Sequence, residues 1–238
     1  MQNEINNNVP NISIEKVNLE NANFIQRVYG WMSLGLALTG VTAFYVYSSE
    51  PILKFIFNGT SFIFYALLIL ELLLVVYISR WINKMSATTA QVSFIVYSIV
   101  NGITFSVIFL VYELGSIGSI FLITAGMFCV ISVYGYFTKT DLTTVGNLCF
   151  MGLVGIIIAS IVNLFIMNDK ASLVISYIAV LIFTGLTAYD TQKIKGMNII
   201  GNEGTEVDKK EAILGALTLY LDFINLFLNL LRIFGKRR

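Results

Sequence analysis

The sequence predicts an all-α membrane protein with seven transmembrane helices, and three observations carry that reading. Hydrophobic residues make up 57% of the chain and charged ones 12%, where soluble domains carry roughly a quarter charged residues. Mean hydropathy is +0.80. Apolar runs of membrane length follow one another with short connections, and one of them, AILGALTLYLDFINLFLNLLRIF over Ala212–Phe234, holds a lone acid, Asp222, about halfway along. A carboxylate at that depth costs on the order of 3 kcal/mol on insertion scales, so it faces a bundle interior, a partner or a water-filled path.

The elements follow in order. Residues 1–22 form a polar N-terminal tail with no apolar core or small-residue cleavage pattern of a signal peptide, so the first span is expected to stay uncleaved. About 20 apolar residues cross a roughly 30 Å hydrocarbon core. Seven segments meet that length: Phe24–Tyr47, Phe55–Ile78, Thr89–Tyr112, Ser116–Phe137, Thr143–Met167, Ala171–Tyr189 and Ala212–Phe234. Together they make a transmembrane domain over residues 23–235, followed by a basic tail at 236–238. Charged residues and glycines between Gln192 and Glu211 predict a solvated loop there. Gly30, Gly35, Gly40, Gly152 and Gly155 fit close helix packing, for which small residues are favoured in lipid.

Orientation follows from lysine and arginine in the short loops. Lys16, Arg27, Arg80, Lys84, Lys139, Lys193, Lys195, Lys209 and Lys210 fall on one side, against Lys54 and Lys170 on the other, so the N-terminus is expected in the cytoplasm. The tail, with Arg232, Lys236, Arg237 and Arg238, runs against the rule if seven spans are complete. Either the earlier helices overrule it, or the last helix does not cross fully.

Composition also excludes. A net charge of +1 and no basic run argue against nucleic acid, leaving lipid, ions or other membrane helices as partners. Cys129 and Cys149 lie in apolar runs without CxxC spacing, so a disulfide is not expected. The chain has no histidine. That removes Ser-His-Asp and Cys-His catalysis, an HExxH zinc site and an imidazole switch, and leaves any response to mild acid to carboxylates.

Those carboxylates form a pattern. At 100° per residue, Asp222, Asn225, Asn229 and Arg232 fall within about 80° of arc, a polar stripe on the last helix. Its plainer reading is hydrogen-bonding glue between helices. Asp190 closes the preceding span in LIFTGLTAYDTQKIK. Alone it would simply point at water, but if the last two helices are neighbours the two acids meet. Like charges in a poorly solvated site do not easily both ionise, so such a pair shares a proton and gives a histidine-free protein a means of sensing pH. Glu71 sits inside the second span, in LLILELLLVV, either lining an ion path or playing a structural part. Arg80 ends that span on the opposite face, free to contact Asp190 or to serve as an interfacial anchor beside Trp81.

The same residues carry a resemblance. Leu219–Gly235, LYLDFINLFLNLLRIFG, is similar to the last-helix signature of the Bax inhibitor family, and AYDTQKIK over Ala188–Lys195 is similar to the acid-bearing end of its sixth helix. The chain resembles a bacterial member across all seven spans. That resemblance implies six helices wrapped around a central C-terminal one, and a di-aspartyl pH sensor, Asp190 with Asp222, governing a calcium leak. By position it implies Arg80 as the latch of the closed state and Glu71 as an acid on the path. The expected function is a pH-sensitive calcium leak channel of a bacterial inner membrane. Calcium is then the permeating ion rather than a cofactor, and protons are the signal. Oxygens of Asp190, Asp222, Asn225, Asn229 and Glu71 would meet it transiently, as hard cations prefer.

Other readings stand beside it. A proton-coupled cation transporter also uses carboxylates in spans, and a membrane scaffold would use the polar stripe as an interface to other membrane proteins. No enzyme is expected. Tyr189-Asp190 resembles one motif of intramembrane aspartyl proteases, but the Gly-x-Gly-Asp of the second is replaced by Leu219, Tyr220 and Leu221 before Asp222. A mid-span lysine for retinal is also missing from the last helix.

Overall fold

A computed structural model describes residues 14–57 and 62–238. Among these residues eight α-helices succeed one another: α1 Ile14–Ser48, α2 Glu50–Phe57, α3 Phe62–Trp81, α4 Ala87–Val111, α5 Leu114–Phe137, α6 Thr143–Ile166, α7 Asp169–Met197 and α8 Glu206–Phe234. A 3₁₀ turn over Ile82–Lys84 follows α3. Among the described residues, six stretches are long and apolar enough to cross a bilayer: α3 with its 3₁₀ turn, and α4 to α8.

Three boundaries differ from the sequence reading. The first helix starts at Ile14, so part of the expected polar tail is helical, and residues 1–13 lie outside the described residues. The expected second span from Phe55 is divided: α2 ends at Phe57 and α3 begins at Phe62. The expected loop Gln192–Glu211 is shorter, because α7 runs on to Met197 and α8 begins at Glu206. Charge alone does not stop a helix. The break comes where Gly201 and Gly204 take φ of +91° and +77°, a conformation that costs glycine little and other residues much. Thr205 then opens α8 by accepting from the Asp208 amide, as hydroxyl caps do.

Burial sorts the helices. In α8, 67% of the membrane-length window is buried, against none in α6. An apolar helix buried inside and one bathed in lipid look alike in hydropathy, and packing tells them apart. α8 packs against α1, α4, α5 and α7 and touches α3, while α6 packs on α7, which stands between it and α8. The expected wrapping of all six helices around the last one therefore does not extend to α6.

The stripe Phe24, Val28, Met32, Gly35, Thr39, Ala43 and Val46 turns α1 inward, at the three-to-four spacing of one helix face. Gly35 lets the Phe94 ring of α4 close in, where a methyl group would overlap it. Gly152 meets Ile182 in the same way, but nothing approaches Gly30, Gly40 or Gly155. Both cysteines are free thiols.

α8 runs the whole length of the bundle. At its head, Asp208 accepts from Arg27 of α1 at 2.9 Å, and Glu206 accepts from the Ala87 amide that opens α4 at 2.7 Å. Past its other end, Arg238 donates to the Tyr47 hydroxyl at 2.9 Å and Lys236 pairs with Glu113 at 2.9 Å. The basic tail thus lies at the end of the bundle opposite the α7–α8 connection.

Candidate functional site

The inward face of α7 repeats at helical spacing through Ser176, Ala179, Phe183, Leu186 and Thr187 to Thr191 and Ile194, all buried. Asp190 falls on that stripe and is drawn towards α8 with it. Close backbone approach helps: Gly135 of α5 lies against the Ala188 carbonyl, and Gly146 of α6 against the Tyr189 ring, where a methyl group would collide. Small residues thus clamp α7 from two sides beside the acid.

On α8, Asp222 is 5% exposed, and its carboxyl and that of Asp190 face each other within hydrogen-bonding range. Asp222 Oδ2 has no hydroxyl, amide or cation partner. Two carboxyl oxygens bond only when one carries a proton, because an ionised carboxylate accepts and never donates. Two acids placed this way, one of them buried, can hold one proton between them. Around them, the Tyr29 hydroxyl of α1 lies 3.5 Å from Thr191 Oγ1 and close enough to Asp222 to feel its charge. The cation acting on Asp190 is Lys193, one turn on.

A second polar system crosses the bundle on another side of α8. Glu71 of α3 accepts from Thr104 Oγ1 and, at 3.3 Å, from Asn101 Nδ2 of α4. Asn101 Oδ1 accepts from the buried Tyr220 hydroxyl of α8 at 3.1 Å, and that hydroxyl meets Thr39 Oγ1 of α1 at 2.7 Å. Glu71 is thus tied to α8 two residues from Asp222 but does not reach the acid pair.

A family model described as "Inhibitor of apoptosis-promoting Bax1" matches residues 21–238. The chain belongs to the Bax inhibitor family. The "Inner membrane protein YbhL" of Escherichia coli is 48% identical over 216 residues, covering 90% of this chain and 92% of that relative. An uncharacterized protein of Borreliella burgdorferi is 47% identical over 215 residues, 90% of this chain and 92% of the other. One from Rickettsia prowazekii is 44% identical over 219 residues, 90% of each. With six membrane-length helices among the described residues, this member of the Bax inhibitor family is an integral, multi-pass membrane protein.

The remaining expected site residues fall elsewhere in this Bax inhibitor fold. Arg80 is exposed at the end of α3 and forms no ion pair with Asp190 or Asp222. The reason is helix order in space: α3 packs chiefly on α4, while α7 is flanked by α5, α6 and α8. Asn225 donates to the Leu221 carbonyl and Asn229 to the Asn225 carbonyl, each at 2.8 Å, so both amides turn back on their own helix. Arg232 ends the stripe by donating to Ser172 Oγ of α7 at 3.3 Å. Among the described residues no cluster of three potential metal ligands occurs. Sequence reasoning missed Tyr29, Thr191, Asn101, Thr104 and Tyr220. The spacing of Tyr220 to Asp222 was the available signal, since two buried polar residues two apart on a helix serve different faces.

Proposed function

We propose that the chain is a pH-sensitive calcium leak channel of a bacterial inner membrane, gated by Asp190 and Asp222. The observation that carries this reading is the contact of two carboxyls, one of them fully enclosed, across the seam of α7 and α8. While one proton remains, the pair is a hydrogen bond that holds the seam. When it leaves, two like charges face each other without water, and the seam loosens. The opened seam would offer Asp190, Asp222 and then, once their amides turn outward, Asn225 and Asn229 as oxygens for passing Ca²⁺. Glu71 would join the path if α3 moved with its carboxylate, and Arg80 would latch the pair only in a conformation that brings α3 nearer to α7.

In this reading α1 supplies the seventh span with its apolar part beyond Arg27, and α6 forms an outer layer. The N-terminus is cytoplasmic, which puts Lys193, Lys195, Lys209 and Lys210 on the inner side. The inner-membrane name of the Escherichia coli relative supports that compartment. The test is Ca²⁺ release from proteoliposomes holding purified protein. Release above that of protein-free vesicles, varying with pH, supports the proposal, and release equal to theirs at every pH rejects it.

A further inference from the structure

One large cavity is lined by neither acid of the pair. It is an apolar groove of about 1130 Å³, above the roughly 300–1,000 Å³ of ordinary small-molecule pockets. α1 forms one wall and α5 the other, without packing closely on each other, and Phe223, Ile224 and Phe227 of α8 make the floor. The α1 wall runs from Ala22 to Ala43 and the α5 wall from Ile117 to Phe137. At 1.5 Å per residue each is about 30 Å long, the thickness of the hydrocarbon core. A chain-like apolar molecule standing along the bilayer normal matches that shape.

The two ends differ. At the end near the α7–α8 connection the lining turns polar with Gln26, Tyr29, Ser132 and Tyr136, while Phe109 and Ile117 line the other end. Ser132 is 5% exposed, and its Oγ has no hydrogen-bond partner of ordinary geometry, with the Tyr29 hydroxyl as its neighbour. A buried hydroxyl left unpaired is uncommon and calls for a partner. Lys195 of α7 does not itself line the groove but is held on Tyr136, which does: its Nζ donates to the Tyr136 carbonyl at 3.0 Å and lies 4.4 Å from the centre of the Tyr136 ring. Three N–H donors belong to an ammonium, so two remain, and no carboxylate pairs with it among the described residues. A cation on a fixed perch above an apolar slot complements a phosphate attached to an acyl chain.

We infer that the groove between α1 and α5 is a binding site for one anionic glycerophospholipid of the surrounding bilayer, with its phosphate at Lys195, its glycerol region beside Ser132 and an acyl chain along the α8 floor. A lipid bound this way is a fixed part of the bundle, unlike the exchanging lipid around α3 and α6. It fills the space that separates α1 from α5 and lies on α8 from Phe223, the residue after Asp222, to Phe227.

Two glycines allow the site to be closed without disturbing the protein. Gly40 and Gly118 line the groove, and a Cβ added at either meets nothing within 4 Å. Protein extracted from vesicles of mixed palmitoyl-oleoyl phosphatidylglycerol and phosphatidylcholine is examined by native mass spectrometry. The wild type should retain one lipid, with phosphatidylglycerol favoured. Gly40→Leu and Gly118→Leu should lose it while keeping the wild-type circular dichroism spectrum. Lys195→Gln should keep a lipid but lose about fivefold in preference for the anionic headgroup, the worth of one lysine near an anionic surface. Cys129 also lines the groove, so an apolar maleimide should alkylate it more slowly in wild type supplied with phosphatidylglycerol than in lipid-free detergent. Equal lipid retention in wild type and both leucine variants, or a dimer that excludes lipid and protects Cys129 by itself, would overturn the inference.

Discussion

Replacing Asp222 by asparagine tests the gate at its centre. The side chain keeps its size, so the packing of α8 is preserved, but the amide donates a hydrogen bond to Asp190 without needing a proton. On the proposed gating, losing the shared proton leaves two facing unit charges, and a pair of unit charges at ~4 Å repels by about 4 kcal/mol at an effective dielectric of about 20. That is roughly a thousandfold in a two-state equilibrium, since each 1.36 kcal/mol is a factor of ten. Salt does little to reduce it, because Asp222 is enclosed. On the proposed gating, the seam contact is complete at low pH and lost as pH rises and the proton leaves. Ca²⁺ efflux from proteoliposomes loaded with an indicator is followed from about pH 5 to about pH 8, a range in which no histidine competes. Wild-type efflux should rise with pH. Asp222→Asn should stay at the low value, changing less than about twofold with surface charge. An Asp222→Asn protein whose efflux follows the wild-type pH curve would refute the reasoning.

Three further outcomes follow from the rest of the bundle. Tyr220→Phe removes the donor to Asn101 Oδ1 and should cost about 1–3 kcal/mol, the usual penalty of a buried unpaired acceptor, read as lower thermal stability in detergent. Asp208→Ala leaves the Arg27 guanidinium, only 32% exposed, without its buried partner. It should cost about 3 kcal/mol, the low end for a broken buried pair, and Arg27→Met in the same chain should restore part of it. Glu203 accepts from Arg27 and Asn23, and those bonds hold its carboxyl below the ordinary value of 4.5. Its stabilising contribution is therefore complete above that value and lost as pH falls through the lower one. The stability difference between wild type and Glu203→Gln should shrink on acidification below about pH 4 and be constant above about pH 5.

The acids were legible in the sequence because a carboxylate inside an apolar run has few inexpensive places to go. The stripe from Asp222 to Arg232 was legible for the same reason of periodicity. Direction within a face was not. Asn225 and Asn229 lie where the 100° rule puts them, yet their amides bond to their own helix, a choice that depends on what the neighbouring helix offers. Arg80 shows a different limit. Loop charge gives the side of the membrane, but not which helices stand next to each other, and α3 sits on α4 rather than on α7. The same adjacency, invisible in one dimension, brings Asn101 and Thr104 to Glu71. The α7–α8 connection was overestimated because Lys193 and Lys195 read as loop. Both instead ride a helix that runs past the apolar span, with Lys195 anchored on Tyr136.

The most direct measurement is the infrared absorption of protonated carboxyl groups in the membrane-embedded protein under conditions where the leak is closed. One shared proton predicts a carboxylic carbonyl band that disappears in both Asp190→Asn and Asp222→Asn. A wild-type spectrum without that band, or a band that survives in both variants, would contradict a proton held between these two acids.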